Sequence, residues 1–201
     1  MHSDNQKKRY ENCVSTWLQE QDFIFYSDHE DLEKNIIKVS DDNTYKSNEP
    51  KFVNIVNNLP EQYLKYDWFL FCDNDTFVNT KKLNSIIDDL DENYFYGSII
   101  DGWHRDNKLK YISGGAGKLI SNKQLREMQS KLTVRNVGFA DVCLGHYLRD
   151  FKKQIINLDT FKSQPPEHYQ IPTEQVKNYV SFHYIKEMSV MKKLYKACQY
   201  E

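Results

Sequence analysis

Apolar positions along this chain switch repeatedly between two spacings. In "NQKKRYENCVSTWLQEQ" (5–21), Tyr10, Val14 and Trp17–Leu18 recur at helical spacing and predict a helix. "DFIFYSD" (22–28) reads as a short buried strand closed by polar residues. Phe52, Ile55, Val56 and Leu59 return to helical spacing, so 49–66 should be a helix broken or bent at Pro60. "DWFLFC" (67–72) is too apolar for a strand with one wet face and reads as a central one. "NTKKLNSIIDDLD" (79–91) opens on capping residues and continues as an amphipathic helix. "NYFYGSII" (93–100) is a strand, followed by a polar loop, a short strand and a glycine turn ending "YISGGAG" (111–117). Further helices are predicted over 121–132, 139–151 and 186–198, and further strands over 154–159 and 176–185. In the last helix Met188, Met191 and Leu194 should face the core.

Alternating strands and helices predict an α/β sandwich with a mainly parallel central sheet flanked by helices. No repeat or Gly/Ser linker divides the chain, so 1–201 should form one domain. In such folds ligands gather at the carboxyl ends of central strands. The most apolar strand ends on Asp73-Asn74-Asp75.

Composition narrows the function classes. The formal net charge of -2 gives no strong attraction to nucleic acid or an anionic membrane surface. An aromatic share of 14% suits strand-rich cores and sugar-binding surfaces alike. No apolar run approaches the ~20 residues that span a bilayer, and "MHSDNQKKRYENC" has no signal-peptide core. Cys13, Cys72, Cys143 and Cys198 form no CxxC pair, and Cys72 should be a buried thiol.

Asp73 and Asp75 project two hard oxygen ligands from one turn, which suits Mg²⁺ or Mn²⁺ and through it a diphosphate. An ordinary Asx-turn would use the same residues. The formal glycosylation sequon Asn74-Asp75-Thr76 should stay unused if the turn binds metal. The glycines of "YISGGAG" allow tight turning or close approach to a ligand, yet the P-loop spacing fails. Asp141 near a helix start is either a favourable cap or a functional carboxylate, and His183 at a strand end is a candidate ligand or a structural residue. Trp103 in "DGWHRDNK" could stack on a sugar or cover a sheet edge. The loop "FKSQPPEHY" is a lid or a connector.

Together these segments resemble the fringe and core-1 β1,3-galactosyltransferase group of inverting glycosyltransferases, from about Lys8 to Tyr195. "WFLFCDNDTFV" matches W-F-x-x-x-D-D-D-T-Y/F-V, and "YISGGAG" matches the glycine motif. "ADVCLG" matches E/D-D-x-x-x-G, and "SFHYIKEMSVMKKLY" is similar to the F-H-Y segment. Arg9 and Trp17 fit the R/K-x-x-x-x-x-x-T-W region. The resemblance implies a GT-A-type nucleotide-sugar-binding fold and Mn²⁺- or Mg²⁺-dependent, inverting transfer. Galactose, N-acetylglucosamine or a related hexose would pass from a UDP-sugar to a glycan or glycoprotein hydroxyl in a β1,3-type linkage. It implies Asp73, Asp75 and His183 around the metal, with Asp73 also on the donor side. Arg9, Gly114 and Gly115 would lie with the donor, and Asp141 would be the general base. The implied location is the Golgi lumen, although the chain carries no signal or anchor segment.

Three departures accompany the resemblance. Asn74 stands where the group has a middle acidic residue, and Ala140 where an acidic residue precedes the base. The group's usual first strand would precede the Lys8 helix, where only "MHSDNQK" is available. The expectation is a truncated fragment or a minimal member with weaker nucleotide binding. A non-catalytic relative that binds nucleotide sugar or glycan, or serves as a partner subunit, is the competing reading.

Overall fold

The computed structural model describes residues 4–42 and 44–199. In chain order the elements are α1 (Asp4–Val14), β1 (Phe25–Ser27), β2 (Ile36–Lys38), α2 (Asn48–Asn57), β3 (Trp68–Phe71), β4 (Phe77–Val78), α3 (Thr80–Ile87), β5 (Phe95–Gly97), β6 (Ile99–Trp103), β7 (Asp106–Ile112), β8 (Lys118–Ser121), α4 (Asn122–Met128), α5 (Ala140–Asp150), β9 (Ile155–Asn157), β10 (Phe161–Lys162), β11 (Ser181–Phe182) and α6 (Met188–Gln199).

The main sheet has the order β3-β8-β5-β9. β8 pairs antiparallel with both β3 and β5, and β5 pairs parallel with β9. The mainly parallel central sheet expected from the sequence is therefore not what forms: two of its three pairings are antiparallel, because β8 runs against β3, β5 and β9. The cause is local. β5 continues into β6, the antiparallel β6–β7 hairpin turns the chain back, and after the glycine turn β8 returns alongside β5. A hairpin imposes this reversal, whereas a helical crossover would have preserved direction.

Both faces of this sheet are covered. Trp68, Leu70, Tyr96 and Leu119 face one core, with Cys13 of α1, Leu83 and Ile86 of α3, and Met191 and Leu194 of α6. Phe69, Phe71, Phe95 and Ile120 face the other, with Phe52 and Val56 of α2, Leu125 of α4, and Leu144 and Tyr147 of α5. Period-two alternation thus sends neighbouring residues of an unbroken apolar run into opposite cores. Each fully buried large apolar side chain contributes about 1.5–3 kcal/mol relative to exposure.

Several predicted boundaries move. α1 stops at Val14, where the hydroxyls of Ser15 and Thr16 donate back to the carbonyls of Glu11 and Asn12. The strand expected over 176–185 contracts to Ser181–Phe182, because Thr173–Asn178 forms a 3₁₀ turn after Pro172. The loop expected from 101 onward is mostly the β6–β7 hairpin. The break at Pro60 is present: α2 ends at Asn57 and a short 3₁₀ turn covers Glu61–Tyr63. All four cysteines are free, and Cys72 is half-buried. Among the described residues no helix is long and apolar enough to cross a membrane.

β1 pairs with β2 alone, and β3 with β8 alone, among the described residues. Both β1 and β3 line a cavity of about 1160 Å³ that reaches the Asp73–Asp75 turn. Of the segment ahead of Lys8, where the resemblance would set a first strand, residues 1–3 lie outside those described, and the chain is helical from Asp4.

Candidate active site

The acidic turn is built by β3 running out of apolar residues. Thr76 N–H donates to the Asp73 carbonyl at 3.2 Å and closes the turn. The Thr76 hydroxyl donates to the Gly115 carbonyl at 2.6 Å, fastening the acidic turn to the glycine turn. The antiparallel β4–β11 pair, with Ser181 opposite Val78 and Phe182 opposite Phe77, delivers the next residue, His183, to the same end. Ile185 N–H donates to the Asp75 carbonyl at 2.8 Å and holds the two segments together.

His183 Nε2 lies 3.1 Å from Asp75 Oδ1 and 3.4 Å from Asp73 Oδ2. One ligand atom from each of the three residues lies within 4.8 Å of the others. Asp75 is 5% exposed, while the Asp73 carboxylate is half exposed toward the cavity. Two hard carboxylates and an imidazole converging on one point fit a divalent ion such as Mn²⁺ or Mg²⁺. Burial opposes protonation of His183, but hydrogen bonds to Asp73 and Asp75 outweigh it and push its pKa up to about 9. Burial likewise opposes ionisation of Asp73, yet the hydrogen bond from His183 and the charge of Lys118 hold its carboxyl below the usual range.

The glycine turn shapes this cluster. A Cβ built on Gly115 would stand 2.1–2.4 Å from three atoms of the His183 ring, so the imidazole occupies the space a side chain would fill. Tyr184 stacks on His183 at 3.9 Å between centroids. Its φ is +62, a region uncommon for a bulky residue and typical of strained functional positions.

Arg9 of α1 reaches the same turn. Its guanidinium donates to Asn74 Oδ1 at 3.2 Å and lies 3.6 Å from Asp75 Oδ2. Asn74, the departure from the acidic triplet, therefore faces Arg9 with a neutral acceptor. On the other side, Asp141 lies in the first turn of α5. Its Oδ1 accepts from Val142 N–H at 2.9 Å and its Oδ2 from Gly114 N–H at 3.3 Å. The second bond joins the α5 start to the glycine turn, beyond what a helix cap requires.

Arg9, Asp73, Asp75, Gly114, Gly115, Asp141 and His183 all line the one cavity. Trp103 is not among its lining residues; it packs edge-on against His104 and His146, with Arg105 over its ring. Ser163 and Gln164 bring the start of the "FKSQPPEHY" loop to the cavity wall. Sequence reasoning missed two residues here, Lys118 and Tyr184. For Lys118 the available signal is a lysine directly after a glycine turn and at the head of an apolar strand.

A comparison with curated proteins finds no match. A family model described as Fringe-like matches residues 2–196. With the acidic turn, glycine turn, Asp-led helix and His183 gathered at one cavity, the chain belongs to the Fringe-like family of glycosyltransferases.

Proposed function

We propose that this protein is a divalent-metal-dependent, inverting hexosyltransferase that uses a UDP-sugar donor and a glycan hydroxyl as acceptor. The observation that carries this reading is the convergence of Asp73, Asp75 and His183 on one point of a cavity that Asp141 also lines. Asp75 and His183 would hold Mn²⁺ or Mg²⁺, with Asp73 half exposed toward the donor. When bound, the ion would supply positive charge to the departing diphosphate.

The residues of the chain supply the rest. Arg9 adds a fixed positive charge beside the acidic turn. Gly114 N–H orients the Asp141 carboxylate, leaving it to accept the acceptor hydroxyl's proton. The hydroxyl oxygen forms a bond to the anomeric carbon while the bond to the diphosphate oxygen breaks. The electron pair leaves with UDP and the configuration inverts in a single displacement. An oxocarbenium-like transition state is expected, as in glycoside hydrolysis. Galactose and N-acetylglucosamine donors, with β1,3-type linkage, are the first candidates.

The test is UDP release from a panel of UDP-sugars, with and without Mn²⁺, for the wild-type chain and Asp141→Asn. Metal-dependent release should fall by about 10²–10⁴-fold in the variant, the usual contribution of a positioned base. Undiminished turnover in Asp141→Asn would remove the base assignment. Mn²⁺-dependent UDP binding without turnover on any donor would favour the nucleotide-sugar-binding reading, and no such binding would reject both.

A further inference from the structure

Lys118 is a buried charged residue whose charge reaches Asp73 only through space, with no direct ion pair among the described residues. It heads β8, the strand inserted between β3 and β5, opposite Phe71 on one side and Gly97 on the other. It is 3% exposed, and its ammonium makes no ion pair or hydrogen bond among the described residues. Phe52 supplies a ring face 5.0 Å from Nζ. A cation–π contact offsets only part of what removing an ammonium from water costs. A methionine would fill the same space without that penalty, so packing does not account for the charge.

The position of Nζ points to a ligand. Lys118 lines the cavity. A methyl group built on Gly114 would stand 3.1 Å from Nζ and 3.6 Å from Asp141 Oδ2, so the ammonium and the Asp141 carboxylate flank one glycine. The register with Phe71 sets Lys118 at the end of β3, one residue before Cys72 and two before Asp73. Lys51, Lys186 and Arg9 line the same cavity, but Arg9 is already engaged by Asn74 and Asp75 and the Lys186 ammonium lies over the Tyr184 ring.

Resting on the donor reading above, we propose that Lys118 is a substrate-binding residue whose ammonium takes an anionic oxygen of the donor's diphosphate. Charge balance favours this over an acidic sugar. A divalent ion offsets Asp73 and Asp75, and Arg9 is tied to their turn, so the diphosphate keeps unmet negative charge that Lys118 can match. A uronate would add a further negative charge beside Asp141, where the acceptor hydroxyl must lose its proton.

Titration calorimetry of the full chain with UDP and with uridine, in saturating Mn²⁺, tests this. Lys118→Met should weaken UDP binding about ten- to a hundredfold, the loss of one charge-assisted hydrogen bond. It should leave uridine affinity unchanged, and Lys118→Arg should recover most of the UDP affinity. Retained Mn²⁺ binding by Lys118→Met reports an intact fold. If that variant fails to fold, the Lys118→Arg and Lys118→Gln pair replaces it, with the same loss expected in Gln alone. Equal UDP affinity in wild type and the uncharged variant overturns the assignment while leaving the donor reading intact. So does a loss confined to acceptor KM. A wild-type chain that binds neither UDP nor inorganic pyrophosphate overturns both.

Discussion

His183 sits between two carboxylates, and that placement makes its charge depend on whether metal is present. Without metal its pKa of about 9 lies above the ordinary value of 6.5. A group whose folded pKa is raised stabilises the fold fully below its unfolded pKa and loses that contribution as pH rises through the folded one. The metal-free protein should therefore lose stability between about pH 6.5 and 9, on the order of 3 kcal/mol for a shift of this size. Asp73 works in the opposite sense: its lowered pKa gives stability that is present at neutral pH and lost on acidification. Metal needs the imidazole neutral, so Mn²⁺ affinity should rise with pH toward about 9 as the stability of the metal-free form falls. Denaturant midpoints of metal-free wild type and His183→Gln at pH 6.5 and 9.5 check this. The gap between the two proteins should close at the higher pH, and a gap that stays constant would refute it.

Among the elements, the start of α5 matters most, because Asp141 stands on it. Its position depends on Glu49, in the first turn of α2 and 1% exposed. The two carboxylate oxygens accept Arg135 N–H at 2.5 Å and Gly138 N–H at 2.6 Å, fixing the loop that leads into α5. Glu49→Gln keeps the shape but turns an NH₂ group toward one of these donors. It should cost about 1–3 kcal/mol of stability, the penalty for leaving a buried polar group unsatisfied. It should also lower kcat with little change in Mn²⁺ affinity, because Asp75 and His183 belong to other segments. Equal loss of metal binding and turnover would indicate general unfolding instead. Glu49 was not legible in the sequence, where it is one acidic residue at a helix start; its partners lie 86 and 89 residues away. Legibility follows that distinction elsewhere too. The caps Asn79 and Ser121 act on backbone three residues on and were readable. β7 alternates only loosely, and β8 is four residues long, so both exist through their partners. Asp73, Asp75, Asp141 and His183 were readable through local patterns. Lys118 acquires its meaning only when β8 is set between β3 and β5.

At the scale of the molecule, the cavity is lined by elements far apart in the chain, from α1 and β1 to the segment after β11. β1 and β2 form a pair separate from the four-stranded sheet, and β1, β3 and the acidic turn all contribute to the cavity lining. A metal-bound donor would touch α1 through Arg9, the β3–β4 turn, the glycine turn and the segment after β11, which makes its binding a cross-link among distant parts of the chain. Ligand that binds only the folded state stabilises it by about 2.7 kcal/mol at a hundred times its Kd. In a domain of this size each kcal/mol raises Tm by roughly 2–4 °C. Mn²⁺ with UDP should therefore raise the melting temperature by about 5–10 °C at such saturation. If the two ligands share this site as proposed, the joint shift should exceed the sum of the separate shifts. Asp75→Asn should abolish the excess because it removes the ion that links UDP to the acidic turn. Strictly additive shifts, or an excess that survives Asp75→Asn, would mean that UDP and metal bind independently and that this cavity does not hold them together.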